Sequence, residues 1–179
     1  MRALITAAFL ATAAAAHAAE PATSPYAGQD ARAIKALSAE DIEALRTGQG
    51  MGFAKAAELN GYPGPAHVLA LAEQLQLTPE QLAKTRDIEA SMRAKAKTVG
   101  AELIDAEAQL DNLFASKRID DQALNASLQR IAELQSELRH AHLQAHLEQA
   151  GPLSAAQTAR YIELRGYGHP QNQPLHEHH

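Results

Sequence analysis

The amino-acid sequence predicts an all-α protein built around one long antiparallel helical hairpin, with shorter helices beside it. Aromatic residues make up only 4% of the chain, cysteine and tryptophan are absent, and alanine, leucine, glutamine and glutamate are abundant, a composition that favours helices with thin cores. Apolar residues recur every three or four positions through two long segments, residues 82–113 and 124–138, as they do along the seam between packed helices. Because one thin hairpin cannot bury both faces of both helices, we also expect a homodimer.

The N-terminal segment has the pattern of a cleaved export signal. Arg2 precedes an apolar run over residues 3–16, which leads into Ala16-His17-Ala18, and small residues at these positions fit the cleavage rule of signal peptidase. We therefore predict a signal peptide over residues 1–18. No other segment approaches the ~20 apolar residues that a membrane-spanning helix needs, so the sequence predicts an exported protein without a transmembrane segment.

The mature chain is mildly acidic, because removing residues 1–18 deletes Arg2 and changes the formal net charge from −5 to −6. This charge argues against nucleic acid as a partner. Without cysteine the exported chain has no disulfides and depends on packing alone. No Ser-His-Asp order is evident, and a thin helical bundle offers no deep pocket, so we do not expect an enzyme.

A leader precedes the folded domain. Residues 19–37 are rich in proline, alanine and small polar residues and have no apolar period, which predicts a flexible leader before a single helical domain over residues 38–168. Ser38 and Asp41 have the spacing of a capping box. They predict a short first helix that stops near Gly48.

The remaining helices follow in order. We expect short helices over residues 53–59 and 65–76, separated by a Gly/Pro turn, then a long helix ending near Lys117 and a second ending near Gln149. Gly100 interrupts the first long helix on the side that the apolar period predicts to be exposed, where glycine costs ~1 kcal/mol relative to alanine. One more short helix follows the second long helix.

A five-residue pattern occurs just before the first long helix and again after the second, as LTPEQ and LSAAQ. The residues that define the two copies are Leu77, Thr78, Gln81, Leu153, Ser154 and Gln157. Thr78 and Ser154 are expected N-caps, and the glutamine three residues later can accept a hydrogen bond from the backbone of the cap. On periodicity alone, the two copies are two capped helix starts.

With its export signal, its long hairpin and an LTxxQ pattern at both ends of that hairpin, the chain resembles the Spy/CpxP family of periplasmic proteins, which also includes ZraP- and CnrX-like heavy-metal-binding relatives. The resemblance covers roughly residues 48–168. The first copy of the motif matches fully, and the second has Ser154 in place of threonine, a change that preserves the cap. The resemblance implies a hairpin that dimerises into a curved cradle in the periplasm.

The resemblance also implies three classes of function, namely ATP-independent chaperones, inhibitors of membrane sensor kinases, and metal sensors or buffers. We predict a periplasmic stress-response protein of the Spy/CpxP type, which binds unfolded or misfolded envelope proteins without ATP and requires no cofactor. The alternative is a heavy-metal sensor or buffer that binds a transition metal and informs a membrane sensor protein.

Two histidines in the second long helix have the spacing of a metal-binding pair. His142 and His146 lie one helical turn apart on one face, which allows two imidazoles to bind one metal ion. Histidine pairs are also common on the surfaces of long helices, so this pair alone is a weak signal.

The predicted hairpin brings further residues close to this pair. If the helices are straight and antiparallel, His146 lies level with Met92, and His67 folds back to the level of Ile88. Glu89 lies within about a turn of both levels. It occupies a seam position, where a carboxylate needs a cation or a salt bridge to offset its desolvation.

In CnrX-like sensors the metal ligands are a histidine before the first long helix, a glutamate on it and a histidine late in the second. Glu89 lies at the matching position, and His67 and His146 lie close to theirs. The resemblance therefore implies a site for zinc, copper, nickel or cobalt formed by His67, Glu89 and His142 or His146. Met92 could add a thioether, although methionine at helical spacing is more often a core residue, and His67 could instead line the core beneath the Gly/Pro turn.

Residues 169–179 form a histidine-rich C-terminal tail. Such a tail can gather metal ions loosely, and the same composition is typical of a solvated tail or of a remnant of expression. We predict that it is disordered.

Overall fold

The computed structural model describes residues 24–167, and this part of the chain contains six α-helices and no β-strand. The helices, in chain order, are α1 (Ala39–Thr47), α2 (Lys55–Glu58), α3 (Pro65–Ala70), α4 (Pro79–Ala115), α5 (Asp121–Ala150) and α6 (Ala155–Leu164). The prediction of an all-α protein with a long hairpin and shorter flanking helices is confirmed. The predicted signal peptide and histidine-rich tail lie outside the described residues, and the homodimer stays a prediction.

The chain divides into two units after Asp30. The first unit is represented by residues 24–30, which form successive hydrogen-bonded turns. All six helices belong to the second unit. Within residues 24–167, no helix combines the length and the apolar character that crossing a membrane requires.

The long helices α4 and α5 form the hairpin. The turn between them contains Lys117 with a φ of 57°, and Asp120 then caps α5 by accepting a hydrogen bond of 2.8 Å from the backbone of Ala123. The two helices run antiparallel, as three cross-helix pairs show: Thr85 with Gln149, Lys95 with Glu137, and Glu102 with Arg130.

The half of the hairpin nearer its turn has an apolar core. Its buried residues come from the segment before α1 and from α1, α4 and α5: Ile34, Leu45, Ala96, Val99, Leu103, Ile104, Ile131, Leu134 and Leu138. Ile34 lies within the predicted leader and is only 7% exposed. The packed body of the protein therefore includes this part of the leader.

Gly100 lies on a buried face of α4, whereas the sequence predicted an exposed one. A Cβ atom at this position would lie 2.4 Å from the carbonyl oxygen of Leu45, so glycine allows the C-terminal end of α1 to approach the backbone of α4 directly. The apolar period did not reveal this contact, because glycine has no side chain to contribute to the period.

The opposite end of the hairpin is closed by a second apolar cluster and by the two LTxxQ motifs. The cluster consists of Val68, Leu75, Leu153 and Tyr161, with Leu77 packed against it. Both predicted capping boxes are present, and in each the cap side chain accepts a hydrogen bond from the backbone of the motif glutamine while the glutamine side chain accepts one from the backbone of the cap.

The two motif glutamines also bond to each other. Nε2 of Gln81 donates to Oε1 of Gln157 at 2.8 Å, and the reverse bond is 2.9 Å long. Each amide nitrogen also donates to a backbone carbonyl, that of Pro152 for Gln81 and that of Leu75 for Gln157. A glutamate could accept a bond from its own cap but has no N–H to donate across. We call this reciprocal pair the glutamine clasp.

Candidate metal centre

A cavity of about 430 Å³ lies beside the hairpin, and several groups that bind metal ions in proteins line it. The residues with oxygen or nitrogen atoms that could bind a metal ion are Glu58, His67, His142 and His146, which α2, α3 and α5 contribute. Met92 of α4 and Arg165, which directly follows α6, also line the cavity. Residues from five of the six helices, or adjoining them, therefore meet there.

The Gly/Pro turn before α3 allows this convergence. A Cβ atom on Gly64 would lie 2.9 Å from Cε1 of His146 and 3.2 Å from Oε2 of Glu58. Only glycine lets the backbone pass this close to both side chains. Pro65 then occupies the first turn of α3, where its missing N–H costs nothing, and His67 follows on the same short helix.

Glu58 is the buried carboxylate of the cavity, and its residue is 7% exposed. Its Oε1 accepts a hydrogen bond of 2.6 Å from the hydroxyl of Tyr161, one of 3.1 Å from that of Tyr167 and one of 3.2 Å from Nε of Arg165. Burial raises the pKa of Glu58, but the bond from Tyr161 and the charge of His67, with smaller contributions from Tyr167 and His146, outweigh it and hold that pKa below its usual range. The carboxylate is therefore ionised at neutral pH.

Two polar atoms in the cavity wall have no hydrogen-bond partner among the residues that the structure describes. These atoms are Oε2 of Glu58 and Nε2 of His142. Leaving a buried acceptor without a partner costs roughly 1–3 kcal/mol, and more for a charged group. Both atoms belong to residues that line the cavity, and carboxylate oxygens and imidazole nitrogens are groups that bind metal ions.

His146 has the hydrogen-bond arrangement of a metal ligand. Its Nδ1 lies 2.8 Å from the carbonyl oxygen of Tyr62, and because a carbonyl only accepts, Nδ1 carries the proton and Nε2 is left with its lone pair. A backbone carbonyl that fixes the tautomer in this way is typical of metal-binding histidines. Nε2 lies on the side of Gly64 and of the cavity.

Hydrogen bonds also determine the tautomer of His67, but in this residue both ring nitrogens have a partner. Nδ1 lies 3.2 Å from Oε1 of Glu58, and Nε2 lies 3.4 Å from a terminal nitrogen of Arg165. Because a guanidinium only donates, Nε2 is the acceptor and Nδ1 carries the proton. The imidazole of His67 therefore links Glu58 to Arg165.

His142 is 4% exposed, and its ring stacks on that of Phe53 with 5.7 Å between the ring centroids. Burial, and after it the charge of His146, lower the pKa of His142. The imidazole is therefore neutral at neutral pH, which is the form that binds metal ions.

Glu89 does not line this cavity. Its carboxylate accepts a hydrogen bond of 2.7 Å from Nε of Arg93, one turn later on α4. This salt bridge offsets the cost of desolvating a carboxylate at a seam position. The cross-helix pairs also place His146 about one turn nearer the start of α4 than the predicted level of Met92. A role for Glu89 as a ligand stays a prediction.

Sequence reasoning missed Glu58, Tyr161 and Arg165. Glu58 ends a helix of only four residues, which is too short for an apolar period to define a buried face. Tyr161 lies 103 residues from Glu58 in the chain, so no local spacing connects them. The available signal was Tyr161 itself, an aromatic residue on a helix of a chain in which only 4% of the residues are aromatic.

Residues 50–160 match the family described as heavy-metal resistance. The chain belongs to this heavy-metal-resistance family. The family is part of the Spy/CpxP/ZraP-like group that carries LTxxQ motifs, and its members are typically periplasmic. No curated protein and no solved structure matches the chain.

The region that matches the heavy-metal-resistance family ends before some of the residues that contact Glu58. It includes Glu58, His67, His142 and His146 and ends at Arg160. The three side chains that hold Oε1 of Glu58, those of Tyr161, Arg165 and Tyr167, come directly after it. The metal-binding groups of the cavity therefore lie in the region that matches the family, whereas the side chains that hold Oε1 of Glu58 lie beyond it.

The donor set of the cavity fits a transition metal. Imidazoles with one carboxylate suit zinc, copper, nickel and cobalt, and a thioether favours the softer ions among them. In residues 24–167, however, no three histidine or acidic side chains are already arranged to hold a metal ion. Oε1 of Glu58 and Nε2 of His67 contact Arg165 instead.

Proposed function

We propose that this heavy-metal-resistance protein binds a transition-metal ion in the periplasm, as a sensor or buffer, after removal of residues 1–18. The proposed ligands are Glu58, His67, His142 and His146. The role is one of binding and not of catalysis. Zinc, copper, nickel and cobalt are the candidate ions.

One observation carries this proposal. Oε2 of Glu58 and Nε2 of His142 are buried in the wall of a single cavity, and no described residue bonds to either of them. The cavity also contains His146, whose tautomer leaves Nε2 available. Membership of the heavy-metal-resistance family supports the same conclusion.

The test is a thermal melt of mature, untagged protein with and without each of the four metal ions. An ion at 100 times its dissociation constant should add about 2.7 kcal/mol of stability. A second protein that lacks residues 169–179 separates the cavity from the histidine-rich tail. We expect the stabilisation to survive this truncation, and its disappearance would assign metal binding to the tail instead.

Matched variants locate the site. Glu58→Gln and His146→Ala should abolish the stabilisation, whereas His140→Ala should not, because His140 is an exposed histidine on the same helix that does not line the cavity. Glu89→Gln decides between the two carboxylates. Stabilisation lost in Glu89→Gln and retained in Glu58→Gln would replace the proposed ligand set with the one predicted from the sequence.

A second candidate function is ATP-independent binding of unfolded envelope proteins, in the manner of Spy/CpxP chaperones. The observation that favours it is the exposure of large apolar side chains on the hairpin, where Phe114, Leu128 and Leu147 are each about half exposed. Suppression of the aggregation of a denatured client should weaken in a Phe114→Ser, Leu128→Ser protein and persist in Glu58→Gln. Sedimentation of the same double variant tests whether these side chains form the predicted homodimer.

A further inference from the structure

We propose that Arg165 is a resident cation of the cavity, which an incoming metal ion must displace and which thereby sets the metal affinity. This inference rests on the proposed function and deepens it. It identifies the group that competes for the site, and it connects metal binding to the C-terminal segment.

The contacts of Arg165 are those of a bound cation. Its Nε donates to Oε1 of Glu58 at 3.2 Å, and one terminal nitrogen lies 3.4 Å from Nε2 of His67. The same terminal nitrogen donates to the hydroxyl of Tyr167 at 3.1 Å, and the guanidinium carbon lies 5.5 Å from the centre of the Tyr167 ring. The guanidinium thus contacts two of the four proposed ligands.

Arg165 and a metal ion cannot use these ligands together. A guanidinium stays protonated and offers only donors, so its bond occupies the lone pair of His67 that a metal ion would need. It also balances the charge of Glu58, and a divalent ion beside that carboxylate would repel it. Among residues 24–167, no three histidine or acidic side chains are arranged to hold a metal ion while Arg165 contacts Glu58 and His67.

Arg165 can leave without disrupting the fold. Its side chain is 31% exposed, whereas that of Glu58 is 10% exposed, and it is attached just beyond the last turn of α6. Tyr161, which is fully buried and bonds to the same oxygen at 2.6 Å, remains to hold Glu58 in place. Displacement therefore affects the mouth of the cavity more than its wall.

Displacement has a consequence for the chain after α6. The backbone N–H groups of Gly166 and Tyr167 bond to the carbonyls of Glu163 and Ile162 at 3.0 and 2.9 Å. Arg165 anchors this turn to the cavity through Glu58. When a metal ion displaces the guanidinium, these amides should open more often and exchange faster with solvent.

The first measurement is calorimetric titration of Zn²⁺ into mature protein lacking residues 169–179. Arg165→Gln should bind zinc at least about tenfold more tightly than the parent, because a charge-assisted competitor has been removed. The matched control is Arg160→Gln, which makes the same charge change within α6 but removes an arginine that pairs with Glu163 at the surface. It should leave the affinity unchanged, and equal or weaker binding by Arg165→Gln would overturn the inference.

The second measurement needs no variant. Hydrogen exchange of the parent protein with and without Zn²⁺ should show faster exchange at Gly166 and Tyr167 and slower exchange around the cavity. Slower exchange at both places would mean that the metal ion leaves Arg165 where it is, and the inference would fail.

The two proposals fail in different ways. If the parent protein does not bind zinc, copper, nickel or cobalt, both the function and this inference are wrong. If it binds a metal ion through Glu58 and His67, and Arg165→Gln gains no affinity, only the inference is wrong.

Discussion

The two halves of the hairpin are packed by different chemistry. Near the turn, α4 and α5 meet through apolar side chains such as Val99, Leu103 and Leu134. Towards the motif end, the same helices bury Thr85 and Gln149, each 0% exposed, which share a hydrogen bond of 3.1 Å. Apolar contacts stabilise the helix pair without requiring a particular direction, whereas the hydrogen bond between Thr85 and Gln149 requires one arrangement of the two side chains. We therefore expect stability to depend mainly on the half near the turn, and the proposed metal binding mainly on the half towards the motifs.

The largest expected effect is in the apolar half. Leu134 is 1% exposed, so Leu134→Ala should lower the free energy of unfolding by roughly 2–5 kcal/mol, through lost burial and a residual cavity. Denaturant unfolding measures the loss. The metal affinity of the folded fraction should not change, and a parallel loss of affinity would contradict the separation of the two halves.

Gly100→Ala should destabilise by roughly 1–3 kcal/mol, because the new methyl group would overlap the backbone of Leu45 and push α1 away from α4. Thermal melting measures the change. Gly151→Ala is the matched control, since the nearest atom to its Cβ would be 3.6 Å away and its φ of −64° suits alanine. A neutral result at Gly100 would mean that α1 packs less closely than described.

The glutamine clasp should contribute about 1 kcal/mol of coupling energy between Gln81 and Gln157, as expected for partly buried neutral hydrogen bonds. A double-mutant cycle with alanine at both positions, followed by urea unfolding, measures it. Gln81→Glu should lose the coupling and keep the cap. An exposed glutamine, Gln129, should show no coupling to Gln157.

The smallest expected effect concerns the capping box of α1. Its third helical residue is Asp41, whereas both LTxxQ motifs have a glutamine at this position. The side-chain hydroxyl of Ser38, and then its backbone N–H, lower the pKa of Asp41. Because the folded pKa is the lower one, the stabilisation is present above the unfolded pKa of about 3.9 and is lost as the pH falls through the folded value. NMR titration should find the pKa of Asp41 higher in Ser38→Ala, and an unchanged pKa would refute this cause. The capping box of Ser154 and Gln157 should show no such dependence, because glutamine does not titrate and the first turn of α6 contains no acid.

The sequence predicted the helices and their starts well, because caps and apolar periods are local signals. Thr78 and Ser154 cap their helices as expected, and the hairpin turns where the pattern breaks. The contacts that could not be predicted are those between distant segments. Gly100 contributes nothing to a period, and Glu58 depends on partners more than 100 residues away.

The candidate site was partly predictable for the same reason. The spacing of His142 and His146 is a local feature, and both line the cavity with His67. Which carboxylate accompanies them depends on the path of the Gly/Pro turn before α3, since this turn determines whether Glu58 approaches the histidines. No residue spacing encodes that path.

The glutamine clasp joins positions 76 residues apart in the chain. Each cap can form within its own turn of helix, but the amide bonds between them require that both long helices have already formed and folded back. Closing so long a loop costs conformational entropy, and the packing of the hairpin must offset this cost before the clasp can add to stability. Each motif therefore makes two kinds of bond in the folded protein, a local one that caps its own helix and a distant one that forms only when the hairpin is closed.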